Sequence, residues 1–181
     1  MEIGTILAIA VVAFLFITLA QGVRQVPQGF KWVVQRLGKY HTSLKPGLNF
    51  IIPYVDSVAF KVTTKDIVLD IPSQEVITKD NAVLITNAVA YINIVSPEKA
   101  VYGVENYIIA IQTLVQTSLR SILGEMSLDD ALSSRDHIKS KLKAAISDDI
   151  ADWGITLKTV EIQDINPSGT MQSAMEEQAA A

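Results

Sequence analysis

Histidines, acids, serines and basic side chains are the residues through which this 181-residue chain can do chemistry. His41 and His137 are its only histidines and are far apart in sequence. Cysteine is absent, so neither a multi-histidine nor a thiolate metal centre is spelled out. The same absence removes disulfides, a thiol nucleophile and palmitoylation. Asp148, Asp149 and Asp152 form a local acidic group. At i, i+1 and i+4 of a helix they read as the solvent face opposite an apolar stripe, and a cation there needs further oxygen ligands. Ser140 and Lys141 are adjacent rather than spaced as a dyad, and no serine sits in a Gly-x-Ser-x-Gly elbow. Gly38, Gly47 and Gly103 stand alone, without the spacing of a phosphate loop. The expectation is a protein that is not an enzyme, with no metal, no cofactor and no nucleic-acid partner.

The chemistry that the spacing does support is interfacial. Between Gln21 and Lys61 lie Arg24, Lys31, Arg36, Lys39, Lys45 and Lys61, with Asp56 as the only acid; from Val62 onward nine basic residues face 17 acidic ones. The net charge of −4 therefore hides a positive section beside the apolar N-terminus. Such a section is drawn to anionic lipid headgroups by about 1 kcal/mol per basic residue near the surface; the alternative is a set of scattered, solvated cations. Phe50, Ile51, Ile52 and Tyr54 put aromatic and apolar side chains in the same section. Together with Arg24 and Lys31 they are the candidate membrane interface. A buried core strand explains the 50–54 run equally well, since one short run cannot reveal both of its faces.

The element that positions this section at a membrane is the N-terminal apolar run. Ile3 to Ala20 holds no charge and no proline. As a helix its 18 residues reach about 27 Å, just under a hydrocarbon core of about 30 Å. Ile3, Ile6, Leu7, Val11, Phe14, Leu15, Phe16 and Leu19 are the expected anchor residues. A cleaved signal peptide is the rival, because Thr18-Leu19-Ala20 passes as a small-x-small site. Glu2 is a poor basic n-region, which favours an uncleaved span. Basic residues follow the span and none precedes it, so the N-terminus is expected outside and the bulk of the chain in the cytoplasm. Hydrophobic residues at 49% and a mean hydropathy of +0.31 agree with such a segment.

After the anchor the pattern alternates with a period of two. Strands are expected over Phe30 to Leu37, Leu48 to Ile52, Val58 to Val62, Ile67 to Ile71, Glu75 to Thr78 and Val83 to Val95. Lys79-Asp80-Asn81 supplies a hairpin turn, and the long run from Val83, apolar on both faces, is expected at the centre of its sheet. At Ser96 the period changes: Ser96 caps a helix with Pro97 at its first position. Ile108, Ile111, Val115, Leu119 and Ile122 form one helical stripe, ending at Gly124. Ser127 and Asp130 form a capping box, and Ile138, Leu142, Ile146, Ile150 and Trp153 a second stripe, stopped at Gly154. A last strand from Ile155 keeps its phase only with a bulge near Lys158 or Thr159. Beyond Pro167 the Met, Gln, Glu and Ala content favours a helix with little to bury, expected to be the start of a longer one.

Several ordered pieces carry a family resemblance. Val26-Pro27-Gln28-Gly29, Val34-x-Arg36-x-Gly38-Lys39-Tyr40, Leu44-x-Pro46-Gly47-Leu48, Pro53 and Asp56 resemble the opening of an SPFH (band 7) domain. Leu69 to Asn81, Arg120 to Met126, Arg135-Asp136, Trp153-Gly154-Ile155 and Val160 to Ile165 continue it in order. The central run is similar to the stomatin branch, nearest to bacterial QmcA-like and paraslipin proteins. The resemblance implies an α+β fold: a transmembrane helix (1–22), a membrane-facing SPFH1 subdomain (23–95), an SPFH2 subdomain (96–166) and the start of a coiled-coil helix (167–181). It also implies a ring- or cage-like homo-oligomer on a bacterial inner membrane that organises lipids and proteins. FtsH-type AAA proteases and NfeD-like membrane proteins are the implied partners. The alternative is a small regulatory subunit that binds a membrane protease or channel directly, without a closed cage.

Overall fold

The apolar run folds first into one long helix because nothing in it interrupts the helical ladder. In the computed structural model, which describes residues 2–181, α1 spans Ile3–Gly22. Met1, the first position of the expected anchor, lies outside the described residues. No side chain of the apolar face is covered, because α1 has no face: apolar groups point out all round it, and Gly22 is its one buried residue.

The chain divides into two units, Met1–Lys65 and Asp66–Ala181. In the first, β1 (Val23–Val26) pairs antiparallel with β4 (Gly47–Phe50) as a short ribbon. β2 (Phe30–Arg36) is the middle of a three-stranded antiparallel sheet, flanked by β3 (Lys39–Leu44) and β5 (Asp56–Thr63). A small core of Val26, Val34, Leu44 and Ile51 joins ribbon and sheet, with Phe30, Trp32 and Val58 packed at its edge.

The second unit is one antiparallel sheet ordered β6-β7-β8, formed by Ile67–Ile77, Val83–Ile94 and Ile155–Pro167. β7 is central, as its apolar content requires, although its second face is only partly covered: Ile85 stays exposed while Leu84, Ala88, Ile92 and Ile94 are buried. The two runs expected as Ile67–Ile71 and Glu75–Thr78 are a single edge strand. Its register slips between Ile71 and Gln74, so Pro72 sits in the bulge, where its missing N–H breaks no ladder bond. The extra residue expected near Lys158 is Lys158 itself, since Tyr91 pairs with Thr159 and Ile92 with Leu157. A second bulge, at Gln163, has no counterpart in the sequence reading.

Helices cover one side of this sheet. α2 (Pro97–Tyr102) and α3 (Tyr107–Gly124) are separate, because Asn106 accepts the Ile109 N–H at 3.2 Å and starts a new helix. Ile111, Val115, Leu119 and Ile122 are buried, whereas Ile108 lies at the exposed end of the stripe. Ser127 opens α4 (Leu128–Ser133) by accepting the Asp130 N–H at 3.2 Å. In α5 (Arg135–Ala151) the stripe of Ile138, Leu142, Ile146 and Ile150 is wholly buried. Gly154 then turns the chain at φ +67°; a Cβ there would meet the Ser96 backbone oxygen at 2.6 Å. α6 (Gly169–Ala180) ends the chain with no buried residue.

The chain's own contacts divide at Lys65/Asp66, whereas the subdomain boundary implied by the resemblance is Val95/Ser96; β6 and β7 share their sheet with β8 and pack under α3. Residues 66–95 therefore belong with the helices.

Candidate membrane-facing surface

Twenty residues of α1 at 1.5 Å each give about 30 Å, the thickness of a bilayer's hydrocarbon core. Ile3, Ile6, Leu7, Val11, Phe14, Leu15, Phe16 and Leu19 are all exposed, with no charged residue among the helix's twenty. The helix is long and apolar enough to cross a membrane.

The foot of this helix is tied to the ribbon. The Ile51 N–H donates to the Gly22 carbonyl at 2.8 Å, and Val23 pairs with Phe50. A Cβ on Gly22 would come within 2.6 Å of the Ile51 oxygen and 2.9 Å of the Phe50 ring, so only glycine permits the approach. Phe50, Ile52 and Tyr54 are exposed beside the helix end, and Arg24 is exposed on β1.

Ile51 is a correction. It is 4% exposed and belongs to the core with Val26, Val34 and Leu44, because its N–H bond to the helix end turns the side chain inward. The buried reading of the 50–54 run thus holds for Ile51, while Phe50, Ile52 and Tyr54 are exposed. Lys31 is half-buried and, one residue from Trp32 on β2, faces the other side of the sheet. The structure does not bring it to Arg24.

An ion pair sets the loop that carries Ile52 and Tyr54. Arg36 donates to both oxygens of Asp56, at 2.7 and 3.0 Å, and the Ile52 N–H donates to the same carboxylate at 3.0 Å. The Arg36 guanidinium first, and the Ile52 N–H second, hold the Asp56 carboxyl down at about 2. Backbone bonds close the loop: Asp56 N–H to the Ile52 carbonyl at 2.9 Å, and Leu37 N–H to the Val55 carbonyl at 3.1 Å.

Leu37 escaped the sequence reading, whereas Tyr54 was part of it. Leu37, 82% exposed, occupies the first position of the β2–β3 hairpin turn at φ +51°, followed by Gly38 at φ +82°. Tyr54, 78% exposed, stands at φ +67°. Left-handed backbone suits glycine or asparagine, and bulky residues adopt it at a cost of about 1 kcal/mol or more. Here it points two large apolar side chains away from the protein. Leu48, exposed at the ribbon's turn, was also missed. The available signal was a large apolar residue inside or beside a glycine turn: Leu37-Gly38 and Gly47-Leu48.

The other sequence candidates stay apart. His41 and His137 are exposed and belong to different units, and Asp148, Asp149 and Asp152 lie on the exposed side of α5 and its end. Among the described residues no group of three or more potential metal ligands comes together.

Comparison with known proteins agrees with this arrangement. The profile of the SPFH domain / Band 7 family matches residues 24–181. A stomatin homolog of Pyrococcus horikoshii is 41% identical over 171 residues, covering 94% of this chain and 64% of the relative. Human mitochondrial stomatin-like protein 2 is 38% identical over 156 residues, 86% of this chain and 44% of the relative. An uncharacterized protein of Mycobacterium tuberculosis is 34% identical over 178 residues, 98% of this chain and 47% of the relative. The chain thus spans about half the length of several curated relatives it matches. With an exposed apolar helix leading into a mixed α+β body, and that match over nearly all of the remainder, the chain belongs to the SPFH/band 7 family, in its stomatin branch.

Proposed function

We propose that this chain anchors a membrane scaffold that assembles from many copies of itself into a ring or cage, enclosing a patch of bilayer and controlling which proteins reach it. The carrying observation is that the apolar side chains of α1 are exposed all along the helix, and that Phe50, Ile52, Tyr54, Leu37 and Leu48 of the same unit are exposed as well. A bilayer covers such a surface, whereas water does not. Basic residues after the span favour an N-terminus outside and the α+β body on the cytoplasmic side, and the family resemblance suggests a bacterial inner membrane.

Self-association is supported by α6. A 12-residue helix is marginal in water on its own, and none of its side chains is buried. Packing against the same helix of neighbouring copies, as the first turns of a coiled coil, would give it a partner. Weak attraction per copy then becomes strong through number alone. Family resemblance adds the partner class: an FtsH-type AAA protease inside the enclosed patch, with an NfeD-like membrane protein alongside.

Particle mass in mild detergent tests the reading. A cage requires tens of copies in one particle, visible as closed rings by electron microscopy. A particle of one or a few copies bound to a single protease or channel would replace the cage with a directly bound regulatory subunit. A freely soluble monomer lacking its first twenty residues would end both.

A further inference from the structure

The groove between β1 and the β2–β5 sheet has a composition that the rest of the first unit lacks. It encloses about 610 Å³ and is lined by Arg24 and Gln25 of β1, Trp32 of β2, and Ser57 and Lys61 of β5, with Asp56 at one end. Arg24 lies two residues before buried Val26 on the same strand, so both point toward the sheet. Trp32 and Lys61 are a cross-strand pair, and the Lys61 ammonium lies 4.5 Å from the centre of the indole ring. The Asp56 carboxylate is already engaged by Arg36 and the Ile52 N–H, so among the described residues no carboxylate pairs Arg24 or Lys61 in the groove. Height completes the picture. Arg24 is the second residue after α1, so if the helix spans the hydrocarbon layer the groove opens at the level of the headgroups.

We propose that this groove binds the phosphodiester headgroup of an anionic phospholipid, with Arg24 and Lys61 pairing the phosphate, Gln25 and Ser57 bonding the polar headgroup, and Trp32 resting against the upper acyl chain. The assignment rests on the reading of α1 as a span that seats the first unit on a bilayer. A zwitterionic lipid fits less well, since its choline adds a third positive charge to the groove. A tryptophan with one polar edge suits the boundary between headgroup and chain. Lys61, 4.5 Å from the centre of the indole ring, is a flexible side chain within reach of both the ring and a phosphate in the groove.

Trp32 itself supplies the probe, because Trp153 is the only other tryptophan. The full chain carrying W153F is reconstituted through α1 into phosphatidylcholine bilayers. These contain a small, fixed fraction of lipid brominated high on the acyl chain, presented either as phosphatidylglycerol or as phosphatidylcholine. Brominated phosphatidylglycerol is expected to quench Trp32 as though enriched about thirtyfold beside it, the size expected of two basic side chains at the headgroup level. R24Q combined with K61Q should bring the two lipids to equal quenching, while unchanged quenching by brominated phosphatidylcholine shows that the variant is still seated. Inorganic phosphate or glycerol phosphate at millimolar level should leave the preference intact; loss of preference with these solutes would make the groove a site for a free phosphate and overturn the lipid assignment. Equal quenching in the starting protein, or a preference that survives R24Q/K61Q, would also overturn it while leaving the membrane-seated unit standing. Absence of quenching by either lipid would remove the seating itself, and the headgroup site with it.

Discussion

The two units use apolar residues in opposite ways. Asp66–Ala181 spends most of them inward: the α3 stripe from Ile111 onward, the α5 stripe and alternate residues of β7 are buried, although Val68, Ile77, Val95 and Ile109 stay exposed. Met1–Lys65 buries only Val26, Val33, Val34, Leu44, Ile51 and Val62 among its large hydrophobic residues, while α1, Leu37, Leu48, Phe50, Ile52 and Tyr54 face outward. Charge follows the same division, basic around the outward apolar groups and acidic over the self-contained unit. Apolar content alone therefore says little; which surface the backbone gives it to decides whether it builds a core or a contact.

Matched leucines give the sharpest break in that comparison. Leu119→Ala removes a fully buried side chain from the α3 stripe and is expected to cost about 3 kcal/mol of unfolding free energy. Leu48→Ala removes the same atoms from an exposed turn and should change stability by less than about 0.5 kcal/mol while weakening association with vesicles. Urea unfolding and vesicle flotation read the two effects. Equal stability losses would show that Leu48 is covered by protein rather than by lipid.

The next effect is confined to the first unit and depends on pH. The Asp56 side chain is 2% exposed and its carboxyl is held at about 2, below the ordinary 3.8. A depressed folded-state pKa contributes stability that is complete above the unfolded value and lost as pH falls from there through the folded one. The Trp32 region should therefore weaken between about pH 4 and pH 2, followed by its fluorescence in W153F protein. Asp56→Asn should remove this acid limb and loosen the Ile52–Tyr54 loop at neutral pH. An unchanged acid limb in that variant would show that other carboxylates set it.

A gain is expected from the second unit. The Thr86 hydroxyl is fully buried on β7 and has no hydrogen-bond partner among the described residues. Thr86→Val keeps the shape and removes an unsatisfied group, so thermal unfolding should show a gain of about 1 kcal/mol. A loss instead would place a bound water on that hydroxyl.

Much of this architecture is legible in the residues themselves. Period and caps locate the α3 and α5 stripes, the central β7, the turn at Asn81, the bulge at Lys158 and the exposed α1. The division between units is not legible, because β6 and β7 join β8 across more than sixty residues of sequence, and no local pattern records a strand's partner. Asn106 was passed over because the apolar spacing runs on through it, although it is a good capping residue. The run 50–54 mixes directions: Phe50, Ile52 and Tyr54 are exposed, while Ile51, bonded through its N–H to the Gly22 carbonyl, is buried. Trp32 and Lys61 are brought together by strand pairing, which joins residues that composition treats separately.

The smallest stability effect is the one that most directly separates fold from contact. Tyr54 holds a left-handed backbone that glycine adopts without steric cost. If the tyrosine served the fold, Tyr54→Gly would destabilise the loop. If it serves the membrane, the same change should relieve strain and raise stability by roughly 0.5 kcal/mol while weakening vesicle association. Tyr54→Trp should restore association without restoring stability, since an indole suits the interface at least as well but keeps the strained backbone. Opposite signs for stability and membrane affinity at one residue are what a backbone strained for an outside contact predicts; a buried core residue would lose both together.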